Sequence, residues 1–235
     1  MKTKNISNQA NILMLLSNPA AYDPRPLKEA ISLIKNGYNV IFLAWDREGN
    51  YSKFEHSKNL TVKRFKFKAR YGHNPKTILG FLFYYFWCII NFFTLDFSFI
   101  HCHDADTLLC GIFIKILKRR HVKLVYDMHD HPIIFFEKFP MSPFWIKITL
   151  TLAKRYADHI IVVNDGFVNY LLKFGFNKER ITVIMNVPRK SPGLMRKTFE
   201  NKNKFTIFYY GNIELDRGVL NLIKVVKDLK NVRRL

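Results

Sequence analysis

Short apolar runs, each followed by a polar turn and a stretch with helical periodicity, set the rhythm of this chain. Asn11-Ile-Leu-Met-Leu-Leu16 and Asn39-Val-Ile-Phe-Leu-Ala44 are nearly continuous apolar runs of strand length, the pattern of strands buried on both faces. Between them Leu27, Ala30, Ile31 and Ile34 recur at helical spacing, with Asp23 as a cap, Pro26 in the first turn and Asn36-Gly37 as a stop. The unit then repeats. Phe97 to His101 precedes a helix from about Asp106 to Lys118. Lys123 to Tyr126 precedes a loop and a helix ending near Tyr156. His159 to Val163 precedes a helix over Asp165 to Phe174, Ile181 to Met185 closes the series, and Leu60 to Phe65 adds a strand. Alternation of this kind predicts an α/β fold, a Rossmann-like doubly wound parallel sheet, with ligands at the carboxyl ends of the strands.

Over residues 188–204 the rhythm gives way to a basic, polar stretch containing Pro192 and Gly193, which reads as a linker. Phe205 to Tyr210 then gives a fresh apolar strand, Gly211 a turn, and Arg217-Gly218 the start of a helix. The predicted organisation is a domain over 1–187, a linker over 188–204, and the start of a truncated second Rossmann-like domain over 205–235. A complete second domain would need about 120 to 150 further residues.

One segment departs from the pattern. Thr77 to Leu95 carries no charge and holds eight aromatic residues, among them Phe81, Tyr84, Trp87 and Phe92. Its length approaches the roughly 20 residues that span a bilayer. Spanning would split the sheet between the two sides of the membrane. The expectation is therefore a helix packed on the sheet whose surplus aromatic surface lies in a membrane interface, assisted by Lys63, Arg64, Lys66, Lys68, Arg70 and Lys76. A purely core helix is the alternative.

Composition narrows the classes. The net charge of +20 favours an anionic partner such as a phosphate-bearing ligand, an acidic membrane surface or nucleic acid. Nucleic acid is disfavoured, because the aromatic residues concentrate in one apolar segment instead of alternating with the basic ones as stacking platforms. Cys88, Cys102 and Cys110 match neither a disulfide framework nor a metal knuckle, and Met1 to Ala10 lacks an apolar leader. Both point to the cytoplasm.

Two polar clusters fall at predicted strand ends: His101-Cys-His-Asp104-Ala-Asp106 and Asp127-Met-His-Asp-His131. Read as metal chemistry, His101, His103, His129 and His131 supply imidazoles, and Asp104, Asp106, Asp127 and Asp130 supply carboxylates, as in a metal-dependent hydrolase. Against this, residues at i and i+2 face the same way only while a strand continues, and His101 reads as a satisfied structural histidine within the sheet. Read as recognition of hydroxyls and phosphate, Asp104 or Asp106 caps the following helix and His129 contacts a sugar hydroxyl or a diphosphate. An arginine at a helix start, Arg217, suits the charge developing on a leaving diphosphate.

Several stretches, in order, carry a resemblance to a known family: Ile12 to Pro19, Asp23 to Ala30, Gly37 to Val40, Leu43 to Arg47, Ile100-His-Cys-His-Asp-Ala-Asp-Thr-Leu108, Leu124-Val-Tyr-Asp-Met-His129, Ala157 to Asn164 and Ile181 to Pro188. Together they resemble the amino-terminal domain of retaining GT-B glycosyltransferases of family four. The resemblance implies an acceptor-binding first domain and a second domain that holds a nucleotide-diphosphate sugar as co-substrate, with no metal and no other cofactor. It implies catalytic roles for His129 and Arg217. Asn18, Arg25, His103, Asp104, Asn164 and Asn186 become substrate-binding candidates, and Gly211, Arg217 and Gly218 donor-phosphate candidates. The expected acceptor is lipid-linked or a polysaccharide, and the expected location is peripheral on the inner face of the cell membrane. The alternative is a non-catalytic module that binds acceptor, or docks to a partner chain supplying the donor domain. The chain departs from the family at Asn212, where a second cation is common, and at the loop from Ser17 to Asp23, which is not glycine-rich.

Overall fold

A computed structural model of the protein describes residues 10–70, 75–118, 121–136, 141–187, 207–211, 213 and 217–232. The chain forms two compact units, Met1–Pro188 and Arg189–Leu235. The first contains one eight-stranded sheet in the order β3-β4-β2-β1-β5-β6-β7-β8. Its strands are β1 (Asn11–Leu16), β2 (Asn39–Asp46), β3 (Phe54–Ser57), β4 (Leu60–Lys66), β5 (Phe99–His103), β6 (Lys123–Met128), β7 (His159–Val162) and β8 (Ile181–Val183). Every pairing is parallel except β3 with β4, a short antiparallel edge that no apolar run announces in the sequence.

The crossovers explain the layers. Helix α1 (Pro24–Lys35) links β1 to β2 leftward along the sheet, whereas α2 (Pro75–Phe92), α3 (Ala105–Leu117), α4 (Pro132–Phe136) with α5 (Ser142–Tyr156), and α6 (Asp165–Lys173) lie on the rightward connections. Right-handed crossovers running in opposite directions put their helices on opposite faces. Alternate strand residues divide accordingly. Leu13, Leu15, Leu43, Ile100, Leu124 and Tyr126 join the larger core, to which α2, α3, α5 and α6 contribute. Ile12, Met14, Leu16, Val40, Phe42 and Val62 pack with Leu27, Ala30, Leu33 and Ile34 of α1. Each large side chain so buried contributes about 1.5–3 kcal/mol. Asp23 caps α1 by accepting a hydrogen bond from the Arg25 backbone N–H, and Gly37 ends it at φ +88°.

The apolar segment is a helix on the sheet. Tyr84, Cys88 and Phe92 of α2 are buried, and the Tyr84 hydroxyl donates to the Leu43 carbonyl at 2.8 Å. Gly80 permits close packing, since a Cβ there would lie 2.5 Å from the Trp45 ring. Ile78, Leu82, Phe83, Phe86 and Ile90 remain exposed along the opposite side. Among the described residues no helix is long and apolar enough to cross a membrane. Arg64 does not join the basic rim expected of it: it is buried and donates to the carbonyls of Pro19 and Ser52 and to Glu55. Its guanidinium organises loops because five donors can satisfy several carbonyls at once.

In the second unit, α7 (Val219–Val232) follows Gly218, whose φ is +71°. The strand predicted over 205–210 is not present at 207–210, which are described without regular structure. An extended segment becomes a strand only by ladder pairing, and this one is not among the strands of the described sheet. The predicted linker, 188–204, lies outside the described residues, as do 205, 206 and Asn212.

Candidate functional site

The sheet runs further than its apolar residues do. Strand β5 continues through His103 and β6 through Met128, so His101, His103 and Asp127 lie within strands, with His103 in register with Asp127. Because β5 does not stop at His101, the i and i+2 histidines do face the same way, and their rings stack with centroids 4.4 Å apart. They share the α1 face with Asp127. Sequence reasoning ended both strands two residues early because their carboxyl ends are polar.

Asp127 is the hub. Its side chain has no exposure and accepts from Arg25 Nη2 at 2.7 Å, from Arg25 Nε at 3.3 Å and from His129 Nε2 at 2.7 Å. Arg25, one turn into α1 and itself buried, also approaches Glu29 Oε1 at 3.1 Å and donates to the Ile184 carbonyl at 2.9 Å. His129 Nε2 lies 3.2 Å from His103 Nδ1. The His129 backbone N–H and that of Asp130 donate to Asp104 Oδ1 at 3.0 and 3.1 Å. Asp104 therefore does not cap α3 with its side chain, as the sequence suggested, although it occupies the capping position. It sits at φ +63° and spends its carboxylate holding the loop after β6. Asp106 is in the first turn of α3, and its carbonyl accepts from the Tyr85 hydroxyl.

Charges in the cluster follow from these contacts. Burial acts to raise the Asp127 carboxyl, but the adjacent His101 and His129 rings, and then the charge of His129, outweigh it and hold the group well below the usual carboxylate range. Burial acts to lower His129, and is outweighed by its bond to Asp127 and by the Asp104 charge, so His129 is raised. Burial, then repulsion from His101, holds His103 well below the usual imidazole value. Burial and the neighbouring Asp127 push Glu29 up to about 8, against the pull of Arg25. Burial also raises Asp104, opposed first by His129, and water reaching its one-third-exposed carboxylate moderates that effect. With Nε2 of His129 turned to Asp127, Nδ1 is its other polar edge, 3.8 Å from Asp104 Oδ2.

The other predicted residues are placed as follows. Asn18 is used locally, accepting from the Ala20 N–H and donating to Asp23. Asn164 caps α6 through the Phe167 N–H. Asn186 accepts from Lys28 Nζ at 3.3 Å on the rim of a pocket of about 480 Å³. That pocket lies beside α1, walled by Ile12, Phe99, Val125 and Ile161, and Arg25, Glu29 and His101 line its polar end. His131 is outside the cluster: it accepts from the Ile133 N–H and its ring meets Tyr170 edge to face at 4.3 Å. His101 is within the sheet as expected but is not satisfied, because its Nε2 is buried without a hydrogen bond among the described residues. Gly211, Arg217 and Gly218 belong to the second unit, where Arg217 and Gly218 precede α7. Glu29 was missed. Its position, three residues after Pro26 and four before Leu33, places a carboxylate on the apolar stripe of α1, which was the available signal.

The fold is that of an amino-terminal Rossmann-like domain of GT-B glycosyltransferases. Sucrose-phosphate synthase from Thermosynechococcus elongatus superposes with a TM-score of 0.56 at 13% identity, over 75% of this chain and 48% of that one. The catalytic domain of Starch Synthase IV from Arabidopsis thaliana, bound to ADP and acarbose, gives 0.53 at 9% identity over 76% and 52%. In sequence, an uncharacterized glycosyltransferase of Methanocaldococcus jannaschii is 28% identical over 156 residues, 61% of this chain and 40% of that relative. The chain thus spans less than half the length of the curated relative it matches. Residues 29–187 match the model for Glycosyltransferase Family 4, and the chain belongs to that family.

Proposed function

We propose that this chain provides the acceptor side of a sugar transfer from a nucleotide-diphosphate donor to a lipid-linked or polysaccharide acceptor, with retention at the anomeric carbon. The observation that carries the reading is the fixing of His129 at the strand ends of a family-four sheet: Asp127 holds its ring and Asp104 its backbone. An imidazole with one nitrogen anchored, its proton affinity raised by neighbouring carboxylates, is suited to orient a sugar hydroxyl or meet a phosphate oxygen. ADP in Starch Synthase IV supports a nucleotide donor here. Arg217, with Gly211 and Gly218 in its turn, is assigned to the donor diphosphate on the family resemblance. Transfer itself needs no metal in this reading.

A membrane-bound acceptor is supported by exposed apolar residues on two neighbouring helices. Exposed Leu82, Phe83 and Phe86 of α2 are joined by exposed Phe113, Ile116 and Leu117 of α3, which packs beside it. An apolar face on a chain of net charge +20 matches an anionic bilayer surface, with the protein peripheral on its cytoplasmic side.

The test supplies nucleotide-diphosphate sugars to the chain with host membrane extract and follows acceptors for the mass of one added sugar. Transfer should fall roughly a hundredfold in His129→Ala, the order expected for loss of one oriented polar catalytic group. Acceptor binding with no transfer by the wild-type chain would favour the acceptor-binding module instead. Transfer unchanged in His129→Ala refutes the role of that histidine.

A further inference from the structure

We infer that Glu29, His101, His103 and Asp127 form a binding site for a single divalent transition-metal ion of the zinc type, buried between α1 and the sheet. One ligand atom from each of the four side chains lies within 4.8 Å of the others. His101 Nε2 is 3.6 Å from Glu29 Oε2 and 3.6 Å from Asp127 Oδ2, and His103 Nδ1 is 3.5 Å from Asp127 Oδ2. Those separations exceed hydrogen-bond length, but they are close to the edges of a tetrahedron built on metal–ligand bonds of about 2.0–2.2 Å, which are roughly 3.3–3.6 Å. Two imidazoles and two carboxylates are a donor set that zinc accepts.

Independent of spacing, two of the four atoms, Glu29 Oε2 and His101 Nε2, have no hydrogen bond among the described residues, whereas Asp127 Oδ2 and His103 Nδ1 both meet His129 Nε2. Both Glu29 carboxylate oxygens and His101 Nε2 are buried without a hydrogen bond among the described residues, and only 8% of the His101 side chain is exposed. Leaving several such groups unpaired costs about 1–3 kcal/mol each, and an ion between them would satisfy them together. The surrounding shell is arranged for this. Arg25 takes Asp127 Oδ1 through Nη2 and approaches Glu29 Oε1 through Nε, which also reaches Asp127 Oδ2 at 3.3 Å; Glu29 Oε2 and Asp127 Oδ2 face the histidines. Groups that fix the outer oxygen of a carboxylate orient its inner one. The pocket beside α1, lined by Glu29 and His101, gives an ion a path from solvent. The ion would share Asp127 Oδ2 with His129 Nε2 and so fix the carboxylate that holds His129, a structural role compatible with transfer chemistry that uses no metal.

The test uses the full chain, dialysed against chelator and titrated with Zn²⁺ in competition with a chromophoric chelator. One equivalent should bind with a submicromolar dissociation constant. Glu29→Gln and His101→Gln should each weaken it at least a hundredfold, with metal-free circular dichroism verifying that each variant is folded. Should either variant fail to fold, Co²⁺ added to the wild-type chain decides the matter: intense visible bands of four-coordinate Co²⁺ are expected, and only the weak bands of six-coordinate Co²⁺ would overturn the site. The inference is equally overturned if the wild-type chain takes no Zn²⁺ from the competitor, or if one equivalent binds with unaltered affinity in both folded variants.

Discussion

Replacing Asp127 with Asn tests the electrostatic frame of the site at nearly constant volume. The substitution removes the charge that Arg25, at 2.7 Å, and His129, at 2.7 Å, share, in a place where the carboxylate has no exposure. Breaking a buried ion pair by deleting one partner costs about 3–5 kcal/mol. The lower end applies here. Glu29 is held neutral partly by Asp127, so loss of that charge lets Glu29 ionise 3.1 Å from Arg25 and recover some of the deficit. A loss of about 3 kcal/mol lowers the melting temperature of a unit this size by about 6–12 °C. Thermal melts in chelator at neutral pH measure it. The compensation has its own signature: Glu29→Gln combined with Asp127→Asn should destabilise by more than the sum of the single changes. Arg25→Met with Asp127→Leu, which replaces the pair by apolar side chains, should melt closer to wild type than Asp127→Asn does. An Asp127→Asn protein melting within about 2 °C of wild type would show that these charges are not desolvated, and would refute the reasoning.

Gly111→Ala should cost about 1–3 kcal/mol by overpacking, because a Cβ there would lie 2.1 Å from Cys102 Sγ, and Cys102→Ala should restore part of the loss; urea midpoints of the single and double variants check it. Asp158 is held below the usual carboxylate value: burial opposes, but Lys115 and the Leu124 N–H prevail. Its stabilisation is therefore present above the ordinary value of 3.8 and is lost as pH falls through the lower folded one, so Asp158→Asn should flatten the fall of the urea midpoint between pH 5 and pH 3. Exchanging Leu82, Phe86 and Phe113 together for serine should leave the melt unchanged and weaken sedimentation with anionic vesicles roughly a hundredfold, about 3 kcal/mol for three partly inserted side chains. Unchanged sedimentation would remove the membrane face from the proposal.

The strands and most helices could be read from the chain because burial on both sides of a parallel sheet leaves unbroken apolar runs, as in Leu13 to Leu16 and Phe42 to Ala44. Edge strand β3 could not be read: all four residues of Phe54–Ser57 are exposed, so no burial pattern marks them. The candidate site was legible in its members and not in its bonding. His103, Asp104, Arg25 and His129 were named, but that Arg25 is spent on Asp127, and Asp104 on the loop rather than on a helix cap, depends on contacts between residues up to 102 positions apart. Glu29 had only its place on the apolar stripe of α1 to mark it. On α1 it makes an ordinary i,i+4 pair with Arg25, and only the register of β5 against β6 brings His101, His103 and Asp127 to it.

The two faces of the sheet make different uses of one alternation. On β5, Ile100 and Cys102 enter the core with α2 and α3, while Phe99, His101 and His103 look toward α1; on β6, Leu124, Tyr126 and Met128 enter that core and Asp127 does not. A polar residue at any of the first set would be buried beneath helices without a partner. On the second set the same residue types meet Arg25 and Glu29 from a single helix. The chemistry of the site is therefore confined by parity: moving a histidine of β5 by one position would carry it to the apolar face and disconnect it from Asp127. The apolar face is left to bind helices, and α2 and α3 also carry exposed apolar side chains. One sheet thus holds a charged cluster on one side and packs apolar helices on the other, and neither use disturbs the other because strand residues alternate.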